Sequence, residues 1–256
     1  MQIENTVLGT QSKLTTKYSI GSYQLGDLQA IPREGFPHKR LDGSLRNTMD
    51  NVGHLLREYG VAVRYNVVKK KTEILLPYFD GDTDNGSNAS TAHIFNIANV
   101  NDLSHTLVHQ YVEALADMNQ YNPVKEWIQS APWDGVDRLP LVHATITEKK
   151  DYPVVLKRIL LDKWLLSATA AALKPKGFHT RGMLTLQGAQ GLGKTSWVRS
   201  LVSDPELREK VVKVDHHLDT SNKDSVLGAI SHWLVEVGEL DSSLKKDVAR
   251  LKGFLT

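Results

Sequence analysis

The chain has 256 residues, a formal net charge of +2, 41% hydrophobic and 23% charged residues, and no cysteine. That composition is globular, has room for one large or two modest domains, and excludes disulfides, thiol catalysis and cysteine–zinc centres. The most apolar stretch, residues 154–173, is interrupted by Lys157, Arg158, Asp162 and Lys163, and the first residues lack an apolar leader core, so a soluble cytoplasmic protein with no membrane partner is expected.

Residues 1–45 are mixed and rich in Gly, Ser and Thr, and read as irregular structure. From Asn47 to Tyr59 the spacing of Met49, Val52, Leu55 and Leu56 predicts a helix that Gly60 ends. Val61–Asn66 and Thr72–Leu76 read as two strands joined by a basic turn. The polar run from Asp80 to Asn88 reads as a loop; its aspartates resemble a calcium loop, but Asn85 and Thr91 stand where the turn glycine and bidentate glutamate belong. Leu103–Met118 reads as a helix with Leu107, Val108, Tyr111, Leu115 and Met118 inward. It carries His105 and His109 without the glutamate of H-E-x-x-H, and this pair and His216-His217 are weak metal signals.

Asn122-Pro123 starts a short helix, Val124 to Gln129, and APWDGVDRLP at 131–140 reads as a compact connection in which Trp133 packs. A long helix is expected over about 153–173, closed by Lys174-Pro175-Lys176-Gly177. The basic clusters His38-Lys39-Arg40, Lys69-Lys70-Lys71, Lys157-Arg158 and Lys245-Lys246 read individually as solvated faces.

The strongest signal is GAQGLGKT at 188–195, which fits G-x-x-x-x-G-K-[ST]. A triphosphate held by backbone N–H groups needs a tight concave turn, and Gly188, Gly191 and Gly193 permit one. Ala189, Gln190 and Leu192 complete the loop, with Ser196 following. Lys194 can reach the β/γ-phosphates of ATP, and the Thr195 hydroxyl can ligate Mg²⁺. Met183–Leu186 reads as a short buried strand before the loop, and residues 195–202 as a helix after it, whose N-terminus favours an anion.

Beyond it, Lys210–Val214 and His232–Val237 read as strands around a helix from Asp224 to Ile230. Strand, loop, helix, strand, helix, strand is an α/β parallel-sheet plan. Glu236 is assigned to the Mg²⁺ shell and Glu239 to orienting the attacking water; the two roles are exchangeable, and Glu239 with Asp241 also fits a solvated turn. A GTPase would need Asn-Lys-x-Asp, and in Ser221-Asn222-Lys223-Asp224 the aspartate comes one position early. A small-molecule kinase would need an Arg-rich lid, which the tail does not clearly supply.

WDGVDRL at 133–139, LTLQGAQGLGKTSW at 184–197, Asn222-Lys223-Asp224, WLVEVGEL at 233–240 and LKGFLT at 251–256 occur in one order. Together they resemble the virulence-associated protein E family of phage and prophage ATPases, related to superfamily 3 helicases, over about residues 120–256 and more loosely over Asn51–Leu76. The resemblance implies an AAA+/superfamily 3 helicase-like P-loop NTPase that acts in replication of a mobile element. It implies single-stranded DNA as partner, with Lys252 weakly placed to contact it, and a homo-oligomer or a ring with full-length homologues. The implied organisation is a mixed α+β N-terminal region of unclear role over 1–120, then 121–256, with a helical lead-in (121–177) and a P-loop core (178–256). The family's sensor strand and arginine finger lie beyond Thr256, so the sheet is expected to be incomplete at the C-terminus, as in a fragment, a truncated product or one half of a split protein. The alternative function is a non-catalytic nucleotide-binding or oligomerising module that modulates a full-length replication ATPase.

Overall fold

The computed structural model describes residues 28–77, 86–174, 178, 180 and 182–238. It is a mixed α/β protein with small sheets and many helices, and it divides into two compact units. The first comprises Met1–Tyr65 and Thr72–Asn119; the second comprises Asn66–Lys71 and Gln120–Thr256. No helix among the described residues is long and apolar enough to cross a membrane.

In the first unit, helix α1 (Met49–Glu58) starts at Thr48, whose side chain accepts from the Asn51 amide. Its apolar stripe, Val52, Leu55 and Leu56, is buried as the periodicity predicts. Gly60, at φ +66°, turns the chain into strand β1 (Ala62–Asn66), and β2 (Lys71–Leu75) follows. Helix α2 (Gly86–Val100) comes next, then a 3₁₀ turn at His105–Leu107, then α3 (Val108–Met118). Ile94, Ile97 and Ala98 of α2 join Val108, Val112 and Ala116 of α3 and the α1 stripe in one core with Phe36 and Val63.

Two expectations change here. Residues 86–88 are not loop but the first turn of α2, because Ser90, Ile94 and Ile97 recur at helical spacing and are buried. The described residues do not include 78–85, where the rest of that polar run lies. Met118 and Leu107 are exposed, not inward, because the buried face of α3 is the i, i+4, i+8 row Val108, Val112, Ala116, and both residues fall off it.

The second unit begins with the turn 66–71, whose Val67 amide donates to the carbonyl of Tyr121 in β3 (Gln120–Tyr121) at 3.1 Å. Helices α4 (Pro123–Ile128), α5 (Leu139–Ala144) and α6 (Val154–Leu173) follow. Asn122 caps α4 through the amides of Val124 and Lys125, and its Nδ2 donates to Ala172 O at the far end of α6. After residues 182–193 come α7 (Lys194–Ser200), α8 (Pro205–Val211), β4 (Val212–His216), α9 (Lys223–Ile230) and β5 (Leu234–Val237). Strands β4 and β5 are parallel, with Val212 opposite Leu234 and Lys213 opposite Val235. Val124, Ala172, Val202, Leu207, Val211 and Leu234 form the core, flanked by an edge-to-face pair of Trp127 and Trp233.

The expected strand Met183–Leu186 forms no ladder among the described residues, and Met183 is exposed. An apolar tetrapeptide becomes a strand only where a neighbour supplies hydrogen bonds, and none of the described strands pairs with it. Lys210 and Val211 end α8 instead of opening a strand, because Asp204 caps that helix and Pro205 fits its first turn. Trp133 does not pack into a core; it is 78% exposed, with its indole N–H donating to Val136 O.

Asn51 is the buried polar anchor of the first unit. Its Oδ1 accepts from the His38 amide at 3.0 Å, and its Nδ2 donates to His38 O and Arg46 O, both at 2.7 Å. Asn51→Asp puts an oxygen against two carbonyls. Urea unfolding should therefore show Asn51→Asp less stable than wild type by roughly 1–3 kcal/mol, and less stable than Asn51→Ala.

Candidate functional site

The loop 188–193 is shaped by two left-handed glycines, Gly191 at φ +83° and Gly193 at φ +76°. A side chain at either costs roughly 1–2 kcal/mol of backbone strain. Gly188 is constrained by space, since a Cβ there would lie 3.1 Å from Leu192 Cδ1. Ala189, Gln190 and Leu192 lie on the exposed rim of the loop. Gly193 is also the N-cap of α7, its carbonyl accepting from the Trp197 amide at 2.8 Å.

Lys194 folds back over the loop, and its Nζ donates to Gly188 O at 3.0 Å and Ala189 O at 2.8 Å. An ammonium held only by two neutral carbonyls retains strong affinity for a charged acceptor. Thr195 donates from Oγ1 to Glu236 Oε1 at 2.6 Å. The other carboxylate oxygen, Oε2, accepts from the Asp215 amide at 3.2 Å. Thus the first turn of α7, the strand β5 and the end of β4 converge on one carboxylate. Ser196 lies next to Thr195 in the same turn. Glu239, Asp241 and Lys252 lie outside the described residues.

The residue that sequence reasoning missed is Asp215. Strand β4 carries one residue more than β5 between Lys213 and His216, for His216 stands opposite Val237. Asp215 takes up that excess at φ +52°, a left-handed conformation uncommon outside glycine. Its amide thereby reaches Glu236. No residue type in Val214-Asp215-His216 signals a bulge beyond the tolerance of Asp for that conformation.

Two supporting contacts fix α7. Trp197 Nε1 donates to Thr145 Oγ1 at 2.8 Å, and the Trp197 ring lies 6.3 Å from that of Trp164 on α6. Arg199 pairs with Glu209 of α8.

Burial holds the His93, His216 and His232 imidazoles below the ordinary histidine range, and the positive charge of Lys213 adds to the effect at His216 and His232. A depressed histidine binds fewer protons folded than unfolded, so its contribution is present above about pH 6.5 and is lost as pH falls. Urea midpoints should therefore drop between pH 7.5 and pH 5.5; a midpoint that rises over this interval would contradict the assignment.

Residues 128–256 match the virulence-associated protein E-like domain. No curated protein matches the chain. The matched segment is half of the sequence and contains the glycine loop, Thr195 and Glu236. The chain belongs to the virulence-associated protein E-like family.

Proposed function

We propose that this protein is a P-loop ATPase of the AAA+/superfamily 3 helicase-like type, acting on single-stranded DNA in the replication of a phage or other mobile element. The supporting observation is the 2.6 Å bond from Thr195 Oγ1 to Glu236 Oε1, which joins the glycine loop to a strand 41 residues later in sequence. A P-loop alone fixes phosphates; a carboxylate brought to the hydroxyl of its threonine adds the hard oxygen donors that suit Mg²⁺.

In this reading the amides of 188–194 cradle the ATP phosphates. Lys194 exchanges its two carbonyl acceptors for β/γ-phosphate oxygens. Thr195 and Glu236 would hold Mg²⁺, and Ser196 lies beside them. The metal, when bound, supplies positive charge to the phosphate oxygens. Glu239 orients the water, whose addition across the β–γ anhydride gives ADP and phosphate. A ring of copies, or of this chain with full-length homologues, is the assembly the family implies.

The test is Mg-ATP hydrolysis with and without single-stranded DNA, alongside equilibrium ATP binding. DNA-stimulated turnover that vanishes in Lys194→Ala is the expected result. Binding without turnover would make the chain a non-catalytic module, and wild type without ATP affinity would defeat the reading altogether.

Two variants probe the parts. Lys194→Ala removes a charge-assisted contact, so ATP affinity should fall about tenfold or more. Glu236→Gln keeps the shape but not the charge. It should raise the Mg²⁺ concentration needed for half-maximal nucleotide binding about tenfold, while leaving metal-free binding close to wild type.

A further inference from the structure

The first unit carries a rigidly held hairpin to which nucleotide chemistry assigns no task. Residues 38–46 double back on one antiparallel bridge, Lys39 opposite Leu45. The Arg40 amide donates to Ser44 O at 2.8 Å and the Gly43 amide to Arg40 O at 3.0 Å, with Gly43 at φ +79° completing the turn. Asp42 Oδ1 accepts from both the amide and the hydroxyl of Ser44, and Arg40 Nη1 donates to Leu45 O at 2.8 Å. The base is clamped from inside the unit. Asn51 bonds the backbone of both His38 and Arg46, while Phe36 and Leu45 anchor the two ends in the core.

What this frame presents to solvent is basic and concave. Pro37, His38, Lys39, Arg46 and Thr48 line an open cavity of about 410 Å³. Lys39 and Arg46 are tied together there, since Arg46 Nε donates to Lys39 O at 3.2 Å. That bond uses one of the five N–H donors of the guanidinium. Lys39 Nζ donates to the backbone carbonyls of Glu34 at 3.0 Å and Arg33 at 3.4 Å. No carboxylate among the described residues pairs with Lys39 or Arg46. Two acids of the segment are engaged elsewhere: Asp42 holds Ser44, and Asp50 Oδ2 lies 3.6 Å from His38 Nδ1, so His38 is not counted as a free cation. At the tip stands Leu41, 109% exposed, the most exposed large apolar side chain among the described residues. A lone exposed Lys or Leu is ordinary surface. Here they sit on a backbone fixed in advance, so a ligand meets them with little ordering cost.

We propose that the 38–46 hairpin docks a nucleic-acid strand, with Lys39 and Arg46 taking backbone phosphates in the cavity and Leu41 packing on the sugar or base beyond them. Phosphate oxygens accept charge-assisted bonds from both side chains, from Arg as a fork and from Lys as a point charge. An apolar side chain projecting past basic residues meets the bases once the phosphates are held. A concave surface suits a strand better than the plane of a bilayer, and one leucine buries less apolar chain than a single acyl group, itself a marginal anchor. The inference gives the DNA of the proposed function a docking place in the first unit, and it holds whether or not the glycine loop hydrolyses ATP.

The test titrates the intact chain, without nucleotide, into a labelled single strand and a labelled duplex of equal length, reading anisotropy across a salt series. Wild type should bind. Lys39→Gln combined with Arg46→Gln should weaken binding about tenfold or more. It should also lower the slope of log affinity against log salt by about 1.4 on the single strand or about 1.8 on the duplex, the counterion release of two phosphates. The form that shows this loss is the one that occupies the cavity. Leu41→Ser should weaken binding severalfold with the slope unchanged. Lys149→Gln combined with Lys150→Gln removes the same charge from exposed positions of the second unit and should bind like wild type. Every substituted side chain is exposed, so urea midpoints should stay at the wild-type value. Lys194→Ala should bind the oligonucleotide as wild type does, which separates this site from the fate of ATP binding. No binding by wild type, equal losses in the two double variants, an unchanged slope in Lys39→Gln with Arg46→Gln, or tighter binding to phosphatidylserine vesicles than to either oligonucleotide would overturn the proposal.

Discussion

The site depends on a mismatch of one residue between two short strands. Had β4 and β5 kept a regular parallel ladder, Asp215 would stand opposite Val237 and His216 would point to the other face. Instead Asp215 sits at φ +52°, and its amide holds one oxygen of Glu236 while Thr195 holds the other. The cost of one left-handed non-glycine residue is of order 1–3 kcal/mol. The same crowding explains Gly238, where a Cβ would lie only 3.3 Å from Asp215 Cα. A side chain just after β5 would push the bulge away from the carboxylate it positions.

With few and short strands, much of the loop structure is held by asparagine. Asn51 ties three backbone groups around α1. Asn101 accepts from the Ile31 amide and donates to Ile97 O and Tyr59 Oη. Asn66 accepts from the amides of Val68 and Lys69, and Asn122 and Asn222 cap helices. The amide side chain is suited to this because it donates and accepts at once, so it can satisfy a backbone N–H and C=O together. Leaving such groups bare inside the protein costs about 1–3 kcal/mol each.

What was legible in the sequence was local. Helix α1 announced itself by Val52, Leu55 and Leu56 with Gly60 behind them, and the glycine loop by its spacing. Thr195 and Glu236 stand in separate motifs, and a hydrogen bond of 2.6 Å joins their side chains. Illegible were the features decided by neighbours. Met183–Leu186 has the composition of a strand but no described strand to pair with. Helix α2 hid behind Gly86, Asn88 and Ser87, because its core row of Ser90, Ile94 and Ile97 is interrupted by polar residues that read as turn formers. Trp133 reads as a packing residue because a large ring is usually buried, whereas here it is exposed and only its indole N–H is engaged, donating to Val136 O beside the Asp134–Arg138 pair.

The left-handed Asp215 on β4 is tolerated because of the packing around it. Val202, just before α8, and Val211, its last residue, are fully buried, and Val124 and Leu234 close the same cluster. Burying a side chain of that size contributes roughly 1.5–3 kcal/mol, which offsets the strain of one left-handed residue. A strand that only had to complete a sheet would not need a left-handed Asp. In β4 the departure falls on the residue whose amide faces Glu236. Local rules are broken in β4 where its backbone meets the carboxylate that also accepts from Thr195, and a break of that kind is what a functional demand on a fold produces.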